Sequence, residues 1–87
     1  MPPQDLLQAL RRRPFVGFRL YASDGTLYDV RHPELLMVAA ASAVVGLPSP
    51  ALPPPAVERY EIVGLLDIVR LEPLAVSAGP GNGAAAG

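Results

Sequence analysis

The chain has 87 residues, of which 51% are hydrophobic, and its seven Lys or Arg against eight Asp or Glu leave a formal net charge of −1. This length predicts a single small domain whose core removes roughly 60% of the unfolded surface from water. A pI of about 5.6 disfavours a dedicated nucleic-acid binder, for which a value above about 9 is typical. The absence of cysteine excludes disulfides and thiolate metal sites and is compatible with a reducing compartment, so we expect a cytoplasmic protein.

Residues 3–13 predict a short amphipathic helix. Three leucines within residues 6–10 recur at the spacing of one helical face. Pro3 suits the first turn of a helix, and Pro14 cannot continue one. The apolar face of this helix should therefore pack on the rest of the domain.

Three consecutive arginines, Arg11, Arg12 and Arg13, end the predicted helix. Cations at this position interact favourably with the carboxyl end of the helix dipole, by a few tenths to about 1 kcal/mol each. The alternative is a patch that contacts phosphate groups, to which Arg19 would contribute. The arrangement alone leaves both interpretations open.

The next stretch, "FVGFRLYASDGTLYDVR", alternates apolar and polar residues as a β-hairpin does. Directly paired residues must share a face, which tests the possible turns. A two-residue turn would pair Leu20 with Asp29 and mix core with solvent. A three-residue turn at residues 23–25, with Gly25 at positive φ, makes every pair agree. It predicts pairs of Phe18 with Val30, Arg19 with Asp29, and Leu20 with Tyr28.

The stretch that follows is ambiguous. A leading Pro-Glu pair, several leucines and a closing glycine are compatible with a helix over residues 33–45. Valines on either side of an alanine-rich turn near residues 40–42 favour two short strands instead, and we adopt the strands. The apolar run at residues 35–47 is shorter than the roughly 18 to 20 residues that span a bilayer, so no membrane segment is predicted.

The last part of the chain combines a proline-rich loop, two strands and a tail. The prolines of "PSPALPPPA" rule out a helix or a central strand there. Strands are predicted around residues 59–63 and 68–72, joined by a tight corner at residues 64–67. Residues 75–87 are rich in glycine and alanine and predict a disordered tail, so the domain spans residues 1–74.

The order of these predicted elements is similar to that of a known group of folds. A short helix, a bent hairpin, a second strand pair and a last strand reached through a one-turn corner resemble the small SH3-like and Sm-like barrels. Residues 14–34 and 60–74 also resemble short bacterial proteins of unknown function with "FRL..SDG..Y.VRHPE" and "LL.IVR.EPL" motifs. The resemblance implies a mainly β fold with one N-terminal helix, arranged as a small antiparallel barrel, and no particular activity.

His32 is the one histidine of the chain, so any histidine-based catalytic or metal-binding hypothesis depends on it. Zinc sites need three or four ligands, and the chain has no cysteine to supply them. His32 followed by Pro33 is most simply a turn, in which Glu34 caps the turn or pairs with Arg31. The acidic residues form no D-x-D cluster typical of Mg²⁺ sites. We therefore predict no catalytic residue, no metal, no cofactor and no enzymatic activity.

The apolar run at residues 35–47 also predicts self-association. Strands of a small barrel have one face in the core and one in solvent, so they normally alternate apolar with polar residues. These two strands are apolar on both faces, and large exposed apolar patches commonly mark interfaces. Two-fold association is the commonest symmetry, so we expect a homodimer. The predicted interface residues are Leu35, Met37, Val44 and Val45.

Two functions are compatible with these features. The first is a non-enzymatic, self-associating protein-interaction module. The alternative is an Sm-like nucleic-acid-binding protein, with Tyr21 or Tyr60 as stacking faces. Its phosphate contacts would be Arg11, Arg12, Arg13 and Arg19. The acidic charge balance favours the first function, whereas an oligonucleotide affinity that falls steeply with salt would favour the second.

Overall fold

The computed structural model describes residues 1–53 and 56–74 and has a mainly β fold with one N-terminal helix, as predicted. The elements are helix α1 (Pro3–Arg11) and strands β1 (Phe18–Ala22), β2 (Leu27–Val30), β3 (Leu36–Val38), β4 (Ser42–Pro48), β5 (Val57–Gly64) and β6 (Ile68–Pro73). Short 3-10 turns, Pro33–Leu35 and Leu65–Asp67, precede β3 and β6. The predicted disordered tail, residues 75–87, lies outside the described residues.

The strands form two antiparallel three-stranded sheets, in the orders β2-β1-β6 and β3-β4-β5. The first and last strands, β1 and β6, are therefore neighbours although they lie at opposite ends of the domain sequence. The chain passes from one sheet to the other through each 3-10 turn. Within the described residues the two sheets remain separate, and no closed barrel is found.

The β1–β2 hairpin has the predicted register. Phe18 pairs with Val30, Arg19 with Asp29, and Leu20 with Tyr28. Gly25 has a φ of 91°, a conformation that glycine adopts without steric cost. The Asp24 carboxylate accepts the backbone N–H of Thr26 at 2.9 Å, which stabilises the turn.

Helix α1 ends at Arg11, two residues before the predicted end at Arg13. Arg12 is already extended, with φ −60° and ψ 134°. Arg13, which follows it, precedes Pro14 and is therefore disfavoured in the α region, so the helix cannot continue to the predicted end. The Arg13 guanidinium donates to the carbonyl oxygen of Leu10 at 3.1 Å and so satisfies part of the helix end.

Among the described residues, no helix has the length and hydrophobicity needed to cross a membrane.

The alternative of a second helix at residues 33–45 is wrong. One 3-10 turn opens this region, and β3 and β4 then pair as a hairpin, with Met37 opposite Val44. The connecting turn lies at residues 39–41, where the Ala39 N–H donates to the Ser42 carbonyl at 2.8 Å. β-branched valines and the backbone partner offered by β5 on the other side of β4 outweigh the slight local preference for helix.

The core lies between the inner faces of the sheets and α1. Its largest fully buried side chains are Phe18, Leu6, Leu20, Ile68, Val30 and Val45. Leu6 is the helix residue that is fully buried, as the leucine spacing of α1 predicted. Full burial of one such leucine contributes about 1.5–3 kcal/mol relative to exposure.

Candidate interaction surface

Three apolar side chains line up across the full width of the β3-β4-β5 sheet. Met37 pairs with Val44, and Val44 pairs with Ile62, so the three share one face. Met37 and Ile62 are 69% and 67% exposed, and Val44 is half-buried. Tyr60 lies two residues before Ile62, on the same face, and is 64% exposed. We call Met37, Val44, Tyr60 and Ile62 the apolar face.

The opposite side of this sheet is part of the core. Ala43 and Val45 are 0% exposed and Val63 is 8% exposed. Because side chains of a strand alternate between its two sides, burial of Val45 turns Val44 outwards, and burial of Val63 turns Ile62 outwards. The apolar face is thus the outer surface of a sheet that is apolar on both sides.

The structure corrects half of the predicted interface. Leu35 and Val45 are 4% and 0% exposed and belong to the core, so a partner cannot reach them while the domain is folded. Met37 and Val44 do lie on the outer face. The error arose because an uninterrupted apolar run carries no period from which the buried side could be read.

The predicted interface did not include Tyr60 and Ile62, although Tyr60 was named as a stacking face in the nucleic-acid alternative. The signal was present, because these residues alternate with Arg59 and Glu61 along a predicted strand. An apolar residue at every second position of a half-buried strand is ordinarily assigned to the core. Here the core position is Val63, and Tyr60 and Ile62 point the other way.

Strand β5 forms one edge of its sheet. It pairs with β4 from Val57 to Gly64, and its other edge pairs with no strand of the described chain. An unpaired edge presents a row of free backbone N–H and C=O groups that can bind another strand. The candidate surface therefore has an apolar face and, along one side of it, a free β edge.

Two charged residues flank Tyr60 on β5. Arg59 Nη1 donates to Glu61 Oε2 at 2.5 Å, and the Tyr28 hydroxyl donates to Glu61 Oε1 at 2.9 Å. Both bonds hold the pKa of Glu61 below its ordinary value, and the bond from Arg59 has the larger effect. Burial, and then the bond to the Glu61 carboxylate, raises the pKa of the Tyr28 hydroxyl. Because Tyr28 lies on β2, this bond also joins the two sheets.

The outer face of the β2-β1-β6 sheet has a different character. Arg19 donates to both carboxylate oxygens of Asp29, at 2.6 and 3.2 Å. Glu72 accepts from the Tyr21 hydroxyl at 2.6 Å and from Arg70 at 2.8 Å. The Arg70 guanidinium carbon also lies 4.9 Å from the centroid of the Tyr21 ring, a cation–π geometry. We call Arg19, Asp29, Arg70 and Glu72 the charged ladder.

Hydrogen bonds within the charged ladder lower the pKa of its carboxyl groups. The bond from Arg19 holds the pKa of Asp29 below its ordinary value, and the bond from Tyr21 has the same effect on Glu72. The guanidinium pKa of Arg19 is raised in turn by the bond to Asp29. The charges of this face are therefore largely satisfied by one another.

The predicted phosphate-binding arginines lie on different elements. Arg11 ends α1, and Arg12 and Arg13 follow it, all three exposed. Arg19 lies on β1, where its guanidinium is already engaged with Asp29. A phosphate group would have to compete with that carboxylate for Arg19.

His32 occupies the turn that was predicted for it. It is exposed, and its carbonyl oxygen accepts the Leu35 N–H at 3.0 Å as the 3-10 turn forms. The predicted role of Glu34 is wrong, since the Arg31 guanidinium lies 3.4 Å from Asp29 and Glu34 makes no side-chain cap. Within residues 1–53 and 56–74, no three His, Asp or Glu side chains are close enough to hold a metal ion.

Comparisons with other proteins do not assign this surface. No family model, no curated protein and no solved structure matches the chain. The resemblance to short bacterial proteins and to SH3-like or Sm-like barrels therefore stays a prediction from sequence.

Proposed function

We propose that this protein is a small, non-enzymatic interaction module that associates with a second copy of itself through the β3-β4-β5 sheet. The observation that supports this proposal is the apolar face, which crosses all three strands of the sheet. Monomeric proteins rarely expose a contiguous apolar surface of more than a few hundred Å². Methionine and tyrosine are also among the residues enriched at protein interfaces.

A second proposal concerns the fold. We infer that the two sheets are the halves of a small SH3-like or Sm-like barrel that is open between them. The pairing of the first strand with the last and the one-turn 3-10 corner before β6 support this arrangement. Solution NMR would test it. An open barrel requires contacts between the two sheets at both 3-10 turns, where the chain passes from one sheet to the other.

Light scattering over a range of protein concentrations tests the proposed self-association. We expect a mass of two copies at high concentration that falls towards one copy on dilution. Tyr60→Glu should favour the monomer, because a charge on the apolar face would have to be dehydrated at the interface. Leu66→Glu is the matched control, since Leu66 is 93% exposed on the second 3-10 turn, outside the apolar face.

Two outcomes would contradict the proposal. Wild-type protein that stays monomeric at every concentration would show that the apolar face does not bind a second copy. A loss of association in Leu66→Glu that equals the loss in Tyr60→Glu would place the interface elsewhere. Circular dichroism of each variant checks that the fold is retained.

Nucleic-acid binding is the second candidate, favoured by one observation. Arg11, Arg12 and Arg13 are consecutive and exposed, as a phosphate-binding patch requires. The acidic pI of about 5.6 and the ion pair of Arg19 with Asp29 weigh against it. An oligonucleotide affinity that falls with salt and is lost in an Arg11→Ala, Arg12→Ala and Arg13→Ala triple variant would support this candidate over the first.

A further inference from the structure

We propose that the second copy binds along the free edge of β5, antiparallel to it and centred on Tyr60. Arg59 of each copy then faces Glu61 of the partner subunit. This inference rests on the proposed self-association and adds its partner strand and register. It converts two three-stranded sheets into one six-stranded sheet around a two-fold axis.

The lengths of the edge strands select β5. The β3-β4-β5 sheet has two edges, of which β3 is three residues long and β5 is eight residues long. Only β5 offers enough backbone for a continuous ladder. It contains no proline, which is one of the features that commonly protect an edge from pairing. Its charged residues and its register shift opposite Leu47 and Pro48 are features of the protecting kind, so the charges must be matched by the partner strand.

Face matching then restricts the register. Directly opposed residues of neighbouring antiparallel strands lie on the same face, so an outward residue of one copy must oppose an outward residue of the other. Two symmetric registers near the middle of the strand meet this condition. The regular pairing of β5 with β4 runs from Arg59 to Gly64, because the register shifts between Leu47 and Pro48. Within that part, the register centred on Tyr60 joins residues 59–61 of both copies, and the register centred on Glu61 joins residues 59–63.

Charge decides between these two registers. The register centred on Glu61 places two carboxylates directly opposite each other, which is destabilising. The register centred on Tyr60 places Arg59 opposite Glu61 of the partner subunit, and does so twice because of the two-fold symmetry. Both side chains are accessible, with 60% exposure for Arg59 and 35% for Glu61.

The same register brings apolar groups together on the outer side. Tyr60 lies beside Tyr60 of the partner subunit, and Ile62 lies diagonally across from that ring, within reach of an aromatic side chain. A two-fold axis perpendicular to the sheet keeps both outer faces on one side. The two apolar faces therefore become one continuous surface. Tyr60 and Ile62 lie at the seam between the copies, whereas Met37 and Val44 of each copy lie away from it and keep their exposure.

Charge reversal with mixing tests the register. R59E places acidic residues opposite each other in the homodimer, and E61R places basic residues opposite each other. Each variant alone should be monomeric at a concentration where the wild type is dimeric. An equimolar mixture should form a heterodimer, because every acidic position then faces a basic one. The double variant R59E/E61R should form a homodimer again.

The mixing step separates association from folding. Each single variant also disrupts the ion pair between Arg59 and Glu61 within one chain, and E61R removes the acceptor of the Tyr28 hydroxyl. Mixing two variants cannot repair a defect inside either chain. Recovery of the dimer mass in the mixture therefore reports contacts between copies.

The outcomes distinguish this inference from the proposed function. A dimeric wild type whose single variants remain dimeric would overturn the β5 register and leave self-association intact. Single variants that are monomeric alone and also in the mixture would equally overturn the register. A wild type that is monomeric throughout would overturn both proposals. Recovery only in the mixture and in the double variant supports the register centred on Tyr60.

Discussion

The two sheets resemble each other on their inner faces and differ on their outer faces. The outer face of β2-β1-β6 carries the charged ladder, whose carboxylates and guanidinium groups bind one another. The outer face of β3-β4-β5 carries the apolar face, without a charged member. Paired charges lose favourable hydration when another surface covers them, whereas apolar groups gain free energy when they leave water. The comparison thus favours the β3-β4-β5 sheet as the surface for the proposed association.

The largest expected effect concerns the two sides of β4. Val45→Thr introduces a hydroxyl into the core and should lower the free energy of unfolding by about 1–3 kcal/mol. Val44→Thr makes the same change on the apolar face and should cost less than about 0.5 kcal/mol. Urea denaturation of both variants measures the difference. Equal losses would show that Val44 is as buried as Val45 and that the sheet has no outer apolar side.

The next prediction compares two residues of the apolar face, Ile62 on β5 and Met37 on β3. Ile62→Glu should weaken self-association at least about tenfold, equivalent to about 1.4 kcal/mol, because Ile62 lies on β5. Met37 is equally exposed but lies on the opposite edge strand, so Met37→Glu should have little effect. Sedimentation equilibrium measures both dissociation constants. Equal weakening would indicate that two apolar faces pack against each other, rather than edge pairing.

A smaller effect is expected at the bond that joins the two sheets. Tyr28→Phe removes the hydroxyl that donates to Glu61, and should lower the melting temperature by less than Val45→Thr does. The pKa of Glu61 should rise towards its ordinary value, because one of the two donors that lower it is lost. NMR titration of the Glu61 carboxyl checks this shift. An unchanged pKa would mean that Arg59 alone sets it.

The smallest effect is expected in the charged ladder. The pKa of Asp29 in the folded protein lies below its ordinary value of 3.8, so the ion pair stabilises the fold above that pH and is lost as the pH falls below it. Asp29→Asn should lower the melting temperature slightly at pH 7 and make its decline below about pH 4 less steep. Melting curves from pH 7 to pH 2 test this. Parallel profiles for variant and wild type would contradict the assignment.

The hairpin shows how much of the fold local sequence predicts. The turn at Gly25, the pairing of Arg19 with Asp29 and the inward face of Phe18 and Leu20 were all predicted from one stretch. Each follows from rules that act over a few residues, namely positive φ at glycine, shared faces and opposite charges. The 3-10 corner and the last strand followed from equally local signals.

The candidate surface was predicted less completely. Region 35–47 was correctly predicted as two strands, but Leu35 and Val45 were assigned to the interface. Tyr60 was considered only as a stacking face for nucleic acid, and Ile62 was not considered. The missing information was the order of the β3-β4-β5 sheet. Only the pairing of β4 with both neighbours places Met37, Val44 and Ile62 in one row.

The sequence by itself determined the N-terminal helix, the hairpin register and the outward ion pair of Arg19 with Asp29. These features depend on periodicity, turn residues and charge, which are all visible within short stretches of the sequence. The tertiary structure decided which side of the apolar strands is buried and which strand is left at the edge. The physical reason is that a strand with apolar residues on both sides satisfies either orientation equally well, until its neighbours and the core beneath them cover one side.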